Sequence, residues 1–177
     1  MSHCKPKLTF EEKELVILRD AIDKAQARSG RKVIKNPDVK EIISVVEDFL
    51  KRKKLVCYGG TAINNILPLE DQFYDKSLEL PDYDFFSPRA MEDAIELAKI
   101  YVKKGFAQVE AKSGVHYGTF KVFVNFIPVA DITQVDKELY ETISKHAFRV
   151  GGIYYSPPNY LRTVSYTHLT LPTTPYV

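Results

Sequence analysis

The stretch Pro81-Asp82-Tyr83-Asp84-Phe85-Phe86 places two acids two positions apart, beside aromatic residues. On a β-strand, residues i and i+2 point to the same face, so both carboxylates would project together. Two carboxylates this close repel each other unless a cation lies between them, and Asp is disfavoured in strands. The pair therefore indicates a Mg²⁺ site with oxygen ligands. A strand-end turn with solvated Asp residues is the competing interpretation, because D-x-D alone is a weak motif.

A third acid lies further along the chain, in Val129-Ala130-Asp131-Ile132-Thr133. This segment has the composition of a buried strand. A carboxylate among such apolar neighbours is costly unless it is paired or binds a metal. Asp131 is therefore a candidate third ligand.

A Gly-Gly-Thr turn precedes the acids. The segment Leu55-Val56-Cys57-Tyr58 predicts a short buried strand, Gly59-Gly60-Thr61 follows it, and the next residues predict a short helix that Pro68 ends. Glycines allow a ligand to approach the backbone, and the free N–H groups of a helix start attract phosphate. Thr61 would add a hydroxyl or cap the helix. A Gly-Gly turn between strand and helix is also common without any ligand.

The other apolar patterns alternate between helical and strand periods. They predict helices that begin near Thr9, Asn36, Ser87 and Thr133, and strands over residues 107–112, 115–125 and 149–155. The helix after Ser87 is expected to bury Met91, Ala94, Ile95, Ala98, Tyr101 and Val102. Pro128 is expected to break the strand before Asp131.

Composition limits the class of protein. The chain has 177 residues, 45% of them hydrophobic and 27% charged, with a net charge of +2, which suits one globular domain or one domain and a fragment. Basic residues cluster at 28–35, 51–54 and 103–104, where they would face nucleic-acid phosphates or simply lie on solvated helix ends. Two cysteines suggest neither a disulfide framework nor a zinc site. No signal-peptide pattern and no long apolar run is found, so the sequence predicts an intracellular protein without a membrane span.

The ordered set of turn and acids indicates one chemistry. A phosphate-accepting turn followed by an Asp-x-Asp strand and a single-Asp strand fits two-metal phosphoryl transfer. One ion would be held by Asp82, Asp84 and Asp131 and activate a hydroxyl. The other, on Asp82 and Asp84, would hold the triphosphate.

This set resembles the nucleotidyltransferase superfamily of DNA polymerase beta and the poly(A) polymerases. Three segments, Tyr58 to Asn64, Leu80 to Pro88 and His116 to Asn125, are similar to the poly(A) polymerase catalytic subunits of giant and other large DNA viruses. The resemblance implies an α+β fold, with a mixed central sheet flanked by helices and preceded by N-terminal helices. It also implies ATP phosphates at Gly59, Gly60 and Thr61, and Mg²⁺ or Mn²⁺ at Asp82, Asp84 and Asp131.

The same resemblance implies partners and a location. The expected partners are ATP, an RNA 3′ end, and either a viral processivity partner or a second copy of the chain, with no membrane involved. The expected location is the virion, the host cytoplasm or both.

The resemblance also suggests a division of the chain. We expect an N-terminal helical segment over 1–53, the catalytic core over 54–156, and the start of a further domain, missing here, over 157–164. Residues 165–177 contain no Asp, Glu, Lys or Arg and resemble translated sequencing-adapter sequence, so we expect a non-native tail. Lys76, in the loop before the acids, is a further candidate for phosphate contact.

Three hypotheses follow. The first is an enzyme that transfers AMP from ATP to an RNA 3′-hydroxyl. The second is another nucleotidyltransferase that modifies a protein, a tRNA end or a small molecule, which product analysis would distinguish. The third is a non-catalytic RNA-binding module, whose salt-dependent binding would persist without metal and without Asp82.

Overall fold

The computed structural model describes residues 37–74 and 80–162, together with positions 14 and 17. Lys76, most of the helix predicted from Thr9, and the segment 165–177 lie outside the described residues. Within the described parts of the chain, no helix is long and apolar enough to cross a membrane.

The first described helix, α1 (Pro37–Lys53), follows the predicted start at Asn36-Pro37. Proline suits the first helical turn, with Asp38 beside it, and Lys51, Arg52 and Lys53 end the helix, which complements the helix dipole at both ends. Its apolar stripe, Val39, Ile42, Val45, Val46, Phe49 and Leu50, is buried. Helix α1, from the segment expected to precede the catalytic core, shares one hydrophobic core with the sheet.

A seven-stranded mixed sheet forms the centre, in the order β3-β4-β5-β2-β1-β7-β6. The strands are β1 (Val56–Tyr58), β2 (Tyr83–Ser87), β3 (Val109–Ser113), β4 (Thr119–Val124), β5 (Ile127–Gln134), β6 (Phe148–Val150) and β7 (Ile153–Tyr155). Further helices in the described part of the chain are α2 (Gly59–Ile66), α3 (Ala90–Lys103) and α4 (Lys137–Lys145), with a 3₁₀ turn at Leu69–Asp71. The predicted α+β fold with a mixed sheet flanked by helices is confirmed.

The two faces of the sheet are covered differently. One face packs on α1 and α3 through Cys57, Phe85 and Ile132, all fully buried. On the other face, Val56 and Phe86 form a smaller cluster with Ile143 of α4. Strand β2 therefore has Tyr83 and Phe85 in the main core, and Asp84 lies with Phe86 on the thinly covered face.

The inner face predicted for α3 is partly wrong. Met91, Ile95 and Val102 are exposed, whereas Ala90, Asp93, Ala94, Leu97 and Tyr101 are buried. Asp93 lies inside because Ser87 Oγ donates a hydrogen bond of 2.6 Å to it and Lys53 pairs with it at 2.8 Å. The buried face is therefore the helical stripe through Ala90, Ala94, Leu97 and Tyr101, and it includes one acid whose burial is compensated by two partners.

Two strand predictions also need correction. Pro128 does not break the strand but lies within β5, at a register shift between β4 and β5, where a residue without an N–H is tolerated. The single strand predicted over 149–155 is a hairpin of β6 and β7, because Gly151 and Gly152 have positive φ and reverse the chain.

Candidate active site

The structure brings the three predicted acids together. Asp84 of β2 lies directly opposite Asp131 of β5 in the parallel register. Asp82 lies two residues before Asp84, immediately ahead of β2. Paired residues of neighbouring strands point to the same face, so the three side chains share the face opposite the main core. The convergence arises because β2 and β5 are adjacent in the sheet although far apart in the chain.

Two carboxyl groups of the cluster, those of Asp82 and Asp84, lie where ionisation is disfavoured. Desolvation raises the pKa of Asp84 to about 7, and the charges of Asp82 and Asp131 add to this effect. Asp82 keeps an exposed surface, yet partial burial and the charge of Asp131 raise the pKa of its carboxyl as well. Carboxylates that repel each other at a partly desolvated site are stabilised in their charged form when a cation binds between them.

One cation within the chain already faces the cluster. Lys121 of β4 lies opposite Asp131 in the antiparallel register, and its ammonium forms an ion pair with the Asp131 carboxylate. The Asp131 side chain is 16% exposed and that of Lys121 is 36% exposed. Contact with Asp131 raises the pKa of Lys121, and the charges of Asp82 and Asp84 reinforce the shift.

The glycine turn lies directly against the acids. A Cβ at Gly59 would overlap the Asp84 carboxylate, and Gly59 has a φ of +73°, which favours glycine. A Cβ at Gly60 would instead overlap the hydroxyl of Tyr74. The N-terminus of α2 thus begins beside the Asp84 carboxylate, and the Tyr74 hydroxyl lies over Gly60.

The hydroxyl of Thr61 has a structural partner. Thr61 is buried, and its Oγ1 donates a hydrogen bond of 2.6 Å to the backbone carbonyl of Asp82. It therefore neither caps α2 nor points to solvent; it ties the helix to the start of the Asp-x-Asp strand. Any phosphate contact at Thr61 would fall to its backbone N–H.

The acid cluster fits a divalent ion by its chemistry. Across residues 37–74 and 80–162, no group of three or more His, Cys, Asp or Glu side chains is already arranged to hold a metal. Yet the three acids offer only oxygen donors, which Mg²⁺ and Mn²⁺ prefer. Two of these acids have raised pKa values, and the third already binds an ammonium. Asp82, Asp84 and Asp131 are therefore the residues that would hold the ion.

Sequence reasoning missed the polar groups that surround the acids. Tyr58 Oη lies 2.8 Å from Thr133 Oγ1, which lies 3.2 Å from Thr119 Oγ1, so a row of hydroxyls crosses the sheet beside the acids. Burial, together with the charges of Asp84, Asp131 and Asp82, raises the pKa of Tyr58 to about 12. The alternation along β4 predicted that Lys121 and Thr119 share one face. No local pattern indicated which strand would pair with β4, so their position beside the acids was not predictable.

The basic clusters are partly engaged in ion pairs. Within residues 51–54, Lys51 pairs with Glu47, Arg52 with Glu96, and Lys53 with both Asp93 and Glu96. Lys104 pairs with Glu41. For these side chains a structural role is observed; residues 28–35 lie outside the described residues.

Comparison with known proteins gives a consistent result. The sequence profile of the family described as "Poly(A) polymerase catalytic subunit" matches residues 44–175. A protein of African swine fever virus assigned as a poly(A) polymerase catalytic subunit is 36% identical over 138 residues, covering 78% of this chain and 28% of the relative. Its counterpart in Acanthamoeba polyphaga mimivirus is 31% identical over 157 residues, covering 85% and 25% respectively.

A solved structure shares the fold. The crystal structure of the Megavirus polyadenylate synthase has a TM-score of 0.79 and 26% identity, over 99% of this chain and 36% of that protein. The chain thus spans about a quarter of the length of the curated relatives it matches. With the family profile matching well over half of its residues, the chain belongs to the family of poly(A) polymerase catalytic subunits.

Proposed function

We propose that this chain carries the catalytic centre for template-independent transfer of AMP from ATP to the 3′-hydroxyl of an RNA. The observation that carries the proposal is the register of Asp84 opposite Asp131, with Asp82 two residues before Asp84 on the same face. Membership of the poly(A) polymerase catalytic subunit family supports this reaction over other nucleotidyl transfers.

Each part of the site has an assigned task. Asp82, Asp84 and Asp131 would hold Mg²⁺ or Mn²⁺, and Gly59, Gly60 and Thr61 would present the backbone of the α2 N-terminus to the ATP phosphates. Divalent ions at these carboxylates would lower the pKa of the attacking hydroxyl and offset charge on the triphosphate. The remaining contribution of the protein is positioning: α2 is fixed to the acid strand by the Thr61 to Asp82 hydrogen bond.

The test is primer extension with a matched control. The chain is incubated with Mn²⁺, labelled ATP and an RNA oligonucleotide, and products are separated by length. Asp84→Asn should reduce extension by more than about 100-fold, because a ligand of the ion is lost. Asp136→Asn removes an exposed acid that makes no side-chain cap to α4, and should leave extension unchanged.

Two outcomes would redirect the proposal. Labelling of a protein, a tRNA end or a small molecule without RNA lengthening would favour another nucleotidyltransferase. Metal-independent RNA binding that Asp84→Asn leaves intact, together with no transfer, would favour a binding module.

The proposed partners and location follow from the same reaction. We propose RNA 3′ ends and ATP as substrates, a viral processivity factor or a second copy as partner, and the virion or host cytoplasm as location. Size-exclusion chromatography with light scattering tests the second copy directly.

A further inference from the structure

The cation facing the acid cluster is itself part of the site. We propose that the Lys121 ammonium is an internal counterion, which occupies Asp131 in the metal-free protein and is displaced when a divalent ion binds. Lys121 then sets the metal affinity of the site as a positioning residue. This inference rests on the proposed function, because that function assigns the three acids to a metal.

The position of Lys121 follows from the sheet. Lys121 lies opposite Asp131, and Asp131 lies opposite Asp84 on the next strand. Lys121 on β4, Asp131 on β5 and Asp84 on β2 therefore form one row across three adjacent strands. Among the residues that the structure describes, no other Lys or Arg forms an ion pair with Asp82, Asp84 or Asp131.

An ammonium and a divalent ion compete for the same oxygen. Lys121 contacts Oδ2 of Asp131, one of only two oxygens that this carboxylate can offer. A divalent ion at Asp131 would lie beside the ammonium, and like charges at this distance repel each other, most of all where water is partly excluded. Binding of the ion therefore favours departure of Lys121.

Lys121 is able to depart. Its side chain is 36% exposed, more than twice the exposure of Asp131. A lysine has a flexible four-carbon stem and a compact charge that water solvates well. Leaving Asp131 thus moves the ammonium into water, whereas the less exposed carboxylate stays in place for the ion.

The neighbouring lysine provides a matched control. Lys112 of β3 lies opposite Lys121 in the register, on the same face. Its ammonium lies 3.3 Å from Glu110 Oε2 and 4.2 Å from the ring centroid of Phe123. Lys112→Met removes the same charge one strand further from the cluster, and it removes no contact to Asp82, Asp84 or Asp131.

The experiment measures metal binding and stability, without using catalysis. Mn²⁺ affinity is determined by calorimetry, and Tm is determined in EDTA and in Mn²⁺, for wild type, Lys121→Met, Lys121→Arg and Lys112→Met. Lys121→Met should bind Mn²⁺ about five-fold more tightly and melt about 2–4 °C lower in EDTA, because the acids have lost their counterion. Lys121→Arg and Lys112→Met should both keep wild-type affinity.

A second measurement uses the wild-type chain, in case Lys121→Met does not fold. The NMR resonance of Lys121 Cε, assigned by its absence from Lys121→Arg, should shift on addition of Mg²⁺, while that of Lys112 stays fixed. An unmoved Lys121 resonance at saturating Mg²⁺ would overturn the proposal.

The outcomes separate this inference from the proposed function. Weaker or unchanged Mn²⁺ binding by Lys121→Met, with Mn²⁺ still bound by wild type, overturns the counterion role and leaves the catalytic proposal standing. Absence of Mn²⁺ binding in both proteins overturns both.

Discussion

At the scale of single residues, the site depends on how closely Gly59 approaches Asp84. The acid carboxylate lies where a Cβ of residue 59 would be, and Gly59 also has a backbone conformation that glycine alone adopts readily. Glycine at position 59 therefore meets two requirements: it allows the turn from β1 into α2, and it leaves room for the Asp84 carboxylate.

Gly59→Ala should lose both stability and transfer. The added methyl displaces Asp84, and the positive φ costs about 1–2 kcal/mol in addition. Gly105→Ala is the control, since Gly105 has a φ of +95° but nothing within 4 Å of a Cβ. Urea unfolding should show a loss in both variants, and primer extension a loss in Gly59→Ala alone. Full transfer by Gly59→Ala would show that the position of Asp84 is not critical.

Asp84 should destabilise the metal-free protein as pH rises. Its pKa is about 7 in the folded chain, against an ordinary value of 3.8, so folding favours the protonated carboxyl. The contribution is fully present below pH 3.8 and is lost as pH rises through about 7. In EDTA at pH 8, Asp84→Asn should therefore be more stable than wild type by about 1 kcal/mol after allowance for solvent screening.

The check is urea unfolding of both proteins in EDTA from pH 4 to pH 8. The difference in unfolding free energy should grow with pH, and saturating Mn²⁺ should reduce or reverse it. A variant less stable than wild type at pH 8 in EDTA would contradict the prediction.

At the scale of elements, Asn64 joins α2 to the segment that follows it. Asn64 is 1% exposed, and its Oδ1 accepts hydrogen bonds of 2.8 and 2.9 Å from the backbone N–H groups of Phe73 and Tyr74. These bonds hold the chain so that the hydroxyl of Tyr74 lies over Gly60. One buried amide thus fixes the surroundings of the α2 N-terminus.

Asn64→Ala should destabilise the fold by about 2–3 kcal/mol, because two backbone donors lose their acceptor. Gln72→Ala, which removes a longer bond of 3.2 Å to Leu67, should cost less than about 1 kcal/mol. Chemical denaturation measures both. Equal losses would mean that Asn64 does not hold the segment in the way described.

At the scale of the whole molecule, one network of two ion pairs and a hydrogen bond joins α1, β2 and α3. Lys53 contacts Asp93 at 2.8 Å and Glu96 at 2.7 Å, and Ser87 Oγ donates to Asp93. The Asp93 side chain is 5% exposed, so these partners offset the free-energy cost of burying it. The helix from the expected N-terminal segment is in this way fixed to the strand that carries the acids.

Lys53→Met should cost about 2–4 kcal/mol, since it leaves the buried Asp93 carboxylate without its cation. Arg52→Met is the neighbouring control, because Arg52 pairs with Glu96 at an exposed site, and it should cost less than about 1 kcal/mol. Thermal unfolding compares the two. A similar shift for both would contradict a special role for Lys53.

Much of the site was predictable from local sequence. The strand, Gly-Gly turn and helix from Val56 to Ile66 follow from apolar runs and glycine placement, as does the start of α1 at Asn36-Pro37. The two-residue spacing of Asp82 and Asp84 predicted that their side chains lie on the same face of a strand. These are properties of short segments, so no distant contact was needed to infer them.

Other features depended on contacts that no local pattern encodes. The hairpin between β4 and β5 turns through Asn125 and Phe126, which both have positive φ. Glycine is the usual residue at the second position of such a turn, but this chain has Phe there. The burial of Asp93 on α3 is compensated by Lys53, which reaches it from another helix.

The sequence by itself determined which residues are the candidates for the chemistry: three acids on strand-like segments, a glycine turn, and the resemblance that relates them. Tertiary structure alone decided which groups meet. In β4 and β5, Val124 pairs with Ile127, but the register shift at Pro128 places Lys121 opposite Asp131 and not opposite Ala130. Side chains alternate along a strand, so this one extra residue in β5 decides whether the Asp131 carboxylate faces Lys121 and Asp84 or the core.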